Sequence, residues 1–99
     1  MIVVMSRFIV ANGMEDDVRR AFLDRPGRVE DAPGFVRLEV LTPRDRPEEF
    51  WLLTWWRDEE SFRTWHHGHT YREAHSGIPE GLKLVPRETM IRTFDHVCS

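Results

Sequence analysis

Phe50-Trp-Leu-Leu-Thr-Trp-Trp56 sets large apolar side chains on both faces of one short segment. Aromatic-rich runs of this length suit a pleated strand better than a helix, which needs more residues to bury a face. Strand periodicity puts Phe50, Leu52 and Trp56 on one side and Trp51, Leu53 and Trp55 on the other. A strand so apolar on both faces does not suit an exposed edge. One face must meet helices. The other would be a bare apolar patch unless something covers it, and isolated monomers rarely leave such a patch open. The reading is a core on one side and an interface with a second copy on the other.

Working outward, Thr42 to Pro47 is a polar, proline-flanked connection, and Phe35 to Leu41 before it is a second strand. There Arg37 and Glu39 oppose Val36, Leu38 and Val40. The short link makes the two strands a hairpin. Pro33-Gly34 is the turn that leads in. Ile2 to Val10 is dense in β-branched residues and forms the first strand. Asn12 with Glu15 resembles a capping box, and Met14, Val18, Ala21 and Phe22 then fall on one helical face. Pro26-Gly27 stops that helix near Arg25, with Val29 continuing its face in a second piece.

Beyond the central strand, Asp58 is a good N-cap, followed by Glu59 and Glu60 in the first turn. Phe62, Trp65 and His66 share a face of this helix, and Gly68 ends it. Thr70 with Glu73 opens another helical piece carrying Tyr71, Ala74 and His75, stopped by Gly77 and Pro79. Leu82 to Val85 is extended. Glu88 to Val97 is the last strand, its mixed alternation pointing to exposure or a partner. The order is β-α-β-β-α-β with the second α broken in two. That is the ferredoxin-like α+β fold, a four-stranded antiparallel sheet with helices on one face. Residues 1–99 are read as a single domain, without repeats or linkers.

Composition agrees and excludes several classes. The chain has 99 residues and 11.8 kDa, is 40% hydrophobic and 31% charged, and carries four Trp and six Phe. It is globular, and a core of this size buries roughly two-thirds of the unfolded surface. A net charge of −3 disfavours phosphate neutralisation, so nucleic acid is not an expected partner. Cys98 is the sole cysteine, which leaves no internal disulfide and no cysteine metal cluster. No apolar run approaches the ~18 residues of a membrane span. Met1-Ile-Val-Val-Met lacks the basic region of a signal peptide, and a cytoplasmic location is expected.

The residues able to carry chemistry are few. A neutral imidazole at His75 suits an axial position on haem iron, or is an ordinary helix-end histidine near Gly77. Trp65 is either a core residue or the wall of a cleft. His66, His67 and His69 join His75 in a local cluster, but His66 and His67 are adjacent, point apart on a helix, and lack carboxylates at ligand spacing. A solvated patch describes them better than a zinc or copper site. Ser6 interrupts an apolar strand face shared with Ile2, Val4, Phe8 and Val10. No serine sits in a glycine-flanked elbow, and no glycine loop cradles phosphate.

Val4-Met-Ser-Arg-Phe8, Pro33-Gly-Phe35, Leu53-Thr-Trp-Trp56, Asp58-Glu-Glu-Ser-Phe-Arg-Thr-Trp65 and Tyr71-Arg-Glu-Ala-His75 resemble the antibiotic biosynthesis monooxygenase family. Within it they are most similar to the bacterial haem-degrading branch. The resemblance covers nearly the whole chain and implies a homodimeric α/β barrel. It also implies a haem cofactor and monooxygenation with oxygen and an external reductant. His75 would be the ligand to haem iron, and Trp65 the residue that presses on the porphyrin. Phe22 would line the pocket, and Arg19 or Arg25 would meet the propionates. The strand-one asparagine of that branch falls on Ser6, a departure that shortens the distal donor. Two other readings follow from the same resemblance. One is cofactor-free oxygenation of a polycyclic aromatic or quinol; the other is a dimeric haem- or ligand-binding module without catalysis.

Overall fold

The computed structural model describes residues 1–25, 28–67 and 78–99. Strand β1 spans Ile2–Ile9, helix α1 Glu15–Leu23, β2 Phe35–Leu41, β3 Glu49–Trp56, α2 Glu59–His66 and β4 Met90–Asp95. A short 3₁₀ turn, Arg28–Asp31, follows α1. The strands form one sheet in the order β2-β3-β1-β4, every neighbouring pair antiparallel. This is the expected ferredoxin-like arrangement. The expected helical piece with Thr70, Tyr71, Glu73, Ala74 and His75 lies outside the described residues.

Register explains the core. Ile2 pairs with Trp56, Ser6 with Leu52 and Phe8 with Phe50, so the even-numbered residues of β1 and β3 share the helix-facing side. Trp56 and Phe50 are fully enclosed there. Two clusters form on this side. Ile2, Val4, Val29 and Trp56 make one, against which Phe62 and Trp65 pack. Val10, Val18 and Phe50 make the other, joined by Phe8, Phe22 and Val40. Ser6 lies on β1 between Val4 and Phe8, at the seam of the two clusters. Val29 is buried through the 3₁₀ turn, as its place on the first helix's face predicts.

The opposite face carries Trp51, Leu53 and Trp55, each partly buried. Here arginines supply the cover. The Arg37 guanidinium lies 4.2 Å from the Trp55 ring centre, that of Arg7 5.7 Å from Trp51, and that of Arg92 5.4 Å from Phe94. The Trp51 indole N–H donates to the buried Glu49 carboxylate at 2.7 Å, which fixes the ring on that face.

Four local expectations change. Asn12 does not cap α1. Its side chain instead donates to the Gly81 carbonyl at 2.8 Å and accepts from the Lys83 N–H, so the residue preceding the helix is Met14, with no side-chain cap. Val36 does not share a face with Leu38 and Val40. A register shift between Phe35 and Arg37 turns Phe35 onto Trp56 and leaves Val36 half exposed. The first strand ends at Ile9, with Val10 in an isolated bridge to Leu84. The last strand is shorter at both ends than Glu88 to Val97. At its start, Arg87 adopts a left-handed φ of 67° and Arg7 takes the Glu88 carbonyl.

Two turns behave as predicted. Gly34 has φ +82°, and a β-carbon there would collide with the Ser61 side chain. Asp58 caps α2 by accepting from the Ser61 N–H at 2.8 Å. The Ser61 hydroxyl and then its backbone N–H hold the Asp58 carboxyl below the usual carboxylate range.

Candidate active site

The site grows from the C-terminal half of α1 and the β2–β3 half of the sheet. Val18 anchors the helix in the core, and Phe22, one turn on, lies over the sheet. Its ring stands 5.9 Å from Phe50 and 6.3 Å from Phe8, while Phe8 and Phe50 stack at 5.3 Å. Phe22 and Phe50 of this trio line a cleft of about 290 Å³. Leu38, Val40 and Leu41 of β2 form a wall, Arg19 and Arg25 reach it from the helix side, and Leu23 and Thr42 complete it. The volume lies at the lower end of the ~300–1,000 Å³ typical of small-molecule sites. Leu23 and Leu41 are exposed at 77% and 50%, so apolar side chains of the cleft also reach solvent.

The polar groups of the cleft differ in availability. The Thr42 hydroxyl is placed to donate within its own loop, to the Arg46 and Pro47 carbonyls. Arg25 is held twice. One terminal nitrogen donates to the Phe22 carbonyl at 3.2 Å and the other lies 2.6 Å from the Glu30 carboxylate. Arg19 forms no ion pair among the described residues. The cleft therefore combines apolar walls with two cations, a pattern suited to a largely apolar molecule bearing anionic groups.

The structure thus brings together three of the predicted residues, Phe22, Arg19 and Arg25, in one cleft. Trp65 is not among its lining. It packs against Trp56 at 5.7 Å in the neighbouring cluster. Ser6 is also outside the lining, at the seam between cluster and cleft. His75 and His69 lie outside the described residues. His66 and His67 do not simply point apart: their rings meet edge-on at 5.3 Å, and His66 also lies 5.3 Å from Phe62. Among the described residues no group of three or more metal-ligating side chains comes together. Sequence reasoning missed Leu38, Val40 and Phe50 as cleft residues. Their shared helix-facing parity was the available signal.

The sequence model describing the antibiotic biosynthesis monooxygenase family matches residues 1–77. The chain belongs to that family. Among relatives, the mycobilin-producing haem oxygenase of Mycobacterium tuberculosis is 29% identical over 95 residues, 91% of this chain and 90% of that protein. A solved structure of a haem-degrader from the same organism, with two haems in its active site, superposes with a TM-score of 0.79 at 24% identity. It covers 100% of this chain and 98% of that one. A cofactor-independent oxygenase from Streptomyces nogalater gives 0.78 at 19% identity, covering 99% and 94%. The antibiotic biosynthesis monooxygenase fold is therefore common to haem-degrading and cofactor-independent proteins, and the side chains of the site must separate them. No helix among the described residues is long and apolar enough to cross a membrane.

Proposed function

We propose that this family member binds haem and degrades it as a monooxygenase, using oxygen and an external reductant. The observation that carries the reading is the cleft itself, with apolar walls and two guanidinium groups at its edge. At about 290 Å³ and open to solvent, such a slot would take one edge of a macrocycle whose carboxylates face the two arginines. Phe22, Phe50, Leu38 and Val40 would exclude water from the ring, while Arg19 and Arg25 would orient its carboxylates. On the family resemblance, His75 would hold the haem iron and Trp65 would press on the ring. When bound, haem would supply the iron that activates oxygen. Ser6, at the seam of the two clusters, would offer its hydroxyl as a short distal donor.

The reading includes a homodimer closed through the Trp51, Leu53 and Trp55 face, and a cytoplasmic location. The aromatic rings of that face, only partly covered by arginine side chains, support the first.

A haem titration tests the proposal. The expected result is a saturable Soret shift that His75→Ala abolishes, followed by an open-chain tetrapyrrole, detected by mass spectrometry, when reductant and oxygen are added. No Soret shift overturns haem binding, and quinol turnover in metal-free buffer would then assign the chain to the cofactor-free chemistry. Stable bound haem with no product would assign it to a binding module.

A further inference from the structure

The two arginines of the cleft differ in how far their charge is already paired. Arg25 is already neutralised: its guanidinium lies 2.6 Å from Glu30, and its second terminal nitrogen is occupied by the Phe22 carbonyl. Both partners of the ion pair are about two-fifths exposed, at 38% each, so the pair can open toward solvent without uncovering the core. Arg19 has no such partner among the described residues, and no carboxylate lines the cleft. An arriving anionic group therefore meets one ready cation and one that is occupied.

We propose that Glu30 is a specificity-determining residue, an internal carboxylate that occupies Arg25 until a ligand's anionic group displaces it. An anionic group is drawn to Arg19 and competes with Glu30 for Arg25 in the same cleft. A neutral apolar molecule enters without opening the pair, whereas an anionic one competes with Glu30 for Arg25 and is held more tightly once the pair opens. The 3₁₀ turn that follows α1 thus tunes a cleft it does not line. The inference rests on ligand entry at this cleft, as proposed above, but it does not require that the ligand contain iron.

The test uses two fluorescent probes that report on the cleft independently of haem. These are anilinonaphthalene sulfonate, an apolar double ring with one anionic group, and its uncharged parent, phenylnaphthylamine. Freeing Arg25 by Glu30→Gln should tighten the anionic probe about three- to fivefold, the range set by loss of one exposed ion-pair partner. It should leave the neutral probe unchanged. The gain should vanish in Glu30→Gln/Arg25→Gln, which isolates the pairwise effect. Arg19→Gln should weaken the anionic probe about two- to threefold in either background. The inference is overturned if the gain is absent, if it is equal for both probes, if it survives loss of Arg25, or if the anionic probe does not bind at all. Haem is titrated in parallel. The expected probe pattern without haem binding would sink the haem reading and leave the role of Glu30 standing; haem binding without the pattern would do the reverse.

Discussion

Neighbouring residues of β3 live in different surroundings. Trp56 and Phe50 face the helices and are wholly enclosed, whereas Trp51 and Trp55, on the same strand, are only partly covered. On the helix side the cover is hydrocarbon: Phe35, Phe62 and Trp65 surround Trp56 within 5.5 to 5.7 Å. On the other side it is guanidinium, with Arg37 over Trp55 and Arg7 over Trp51. Dispersion in a close-packed core does not depend on salt, while a cation over an exposed ring is partly hydrated and leaves room for a better partner. The same strand thus packs the core with one face and leaves the other only partly covered.

The sharpest way to break this contrast is Trp56→Ala. Removing a fully buried aromatic costs about 3–5 kcal/mol, a large share of a small domain's stability, and urea denaturation should show a large fall in the midpoint. A fall no larger than that of an exposed substitution would mean the helix face is not the structural one. Gly34→Ala comes next. Its positive φ and the collision with Ser61 predict a loss of about 1–3 kcal/mol, read by thermal unfolding. Trp55→Ala should move monomer stability by less than about 1 kcal/mol. It should nevertheless weaken self-association at least tenfold in sedimentation equilibrium, and unchanged association would show that the open face meets no second copy.

The smallest effect concerns the cap of α2. Because the folded state holds the Asp58 carboxyl below its ordinary value of 3.8, its contribution is present above that pH and is lost as pH falls through the lower folded value. Comparing Asp58→Asn with the parent chain across the acid range should show the stability difference narrowing only below about pH 4. A difference that stayed constant with pH would remove the charged cap from the account.

The strands were legible because β-branched and aromatic residues fill Ile2 to Val10 and Phe50 to Trp56, and the βαββαβ order then implied the sheet. What escaped was settled by contacts distant in sequence. Asn12 looks like a helix cap beside Glu15, yet its side chain bonds Gly81 and Lys83, which no local pattern announces. Val36 follows the strand alternation on paper, but the large ring of Phe35 takes the inner position beside Trp56 and a bulge absorbs the offset. Of the candidate site, Arg19, Phe22 and Arg25 were found through family resemblance and are adjacent in space. The ion pair that restrains Arg25 was not, since Glu30 lies across a turn whose geometry the sequence does not encode locally.

The order β2-β3-β1-β4 also bears on how the chain leaves the ribosome. The strand made first sits in the interior of the sheet, and both of its neighbours are made later: Ile2 must wait for Trp56 on one side and for Asp95 on the other. Until then the nascent polypeptide carries one of its most apolar segments with both edges unpaired, the state most prone to aggregate during synthesis. Completion of the sheet is thereby postponed to release of the C-terminal strand, and a pause or truncation before Met90 would leave β1 with one edge open.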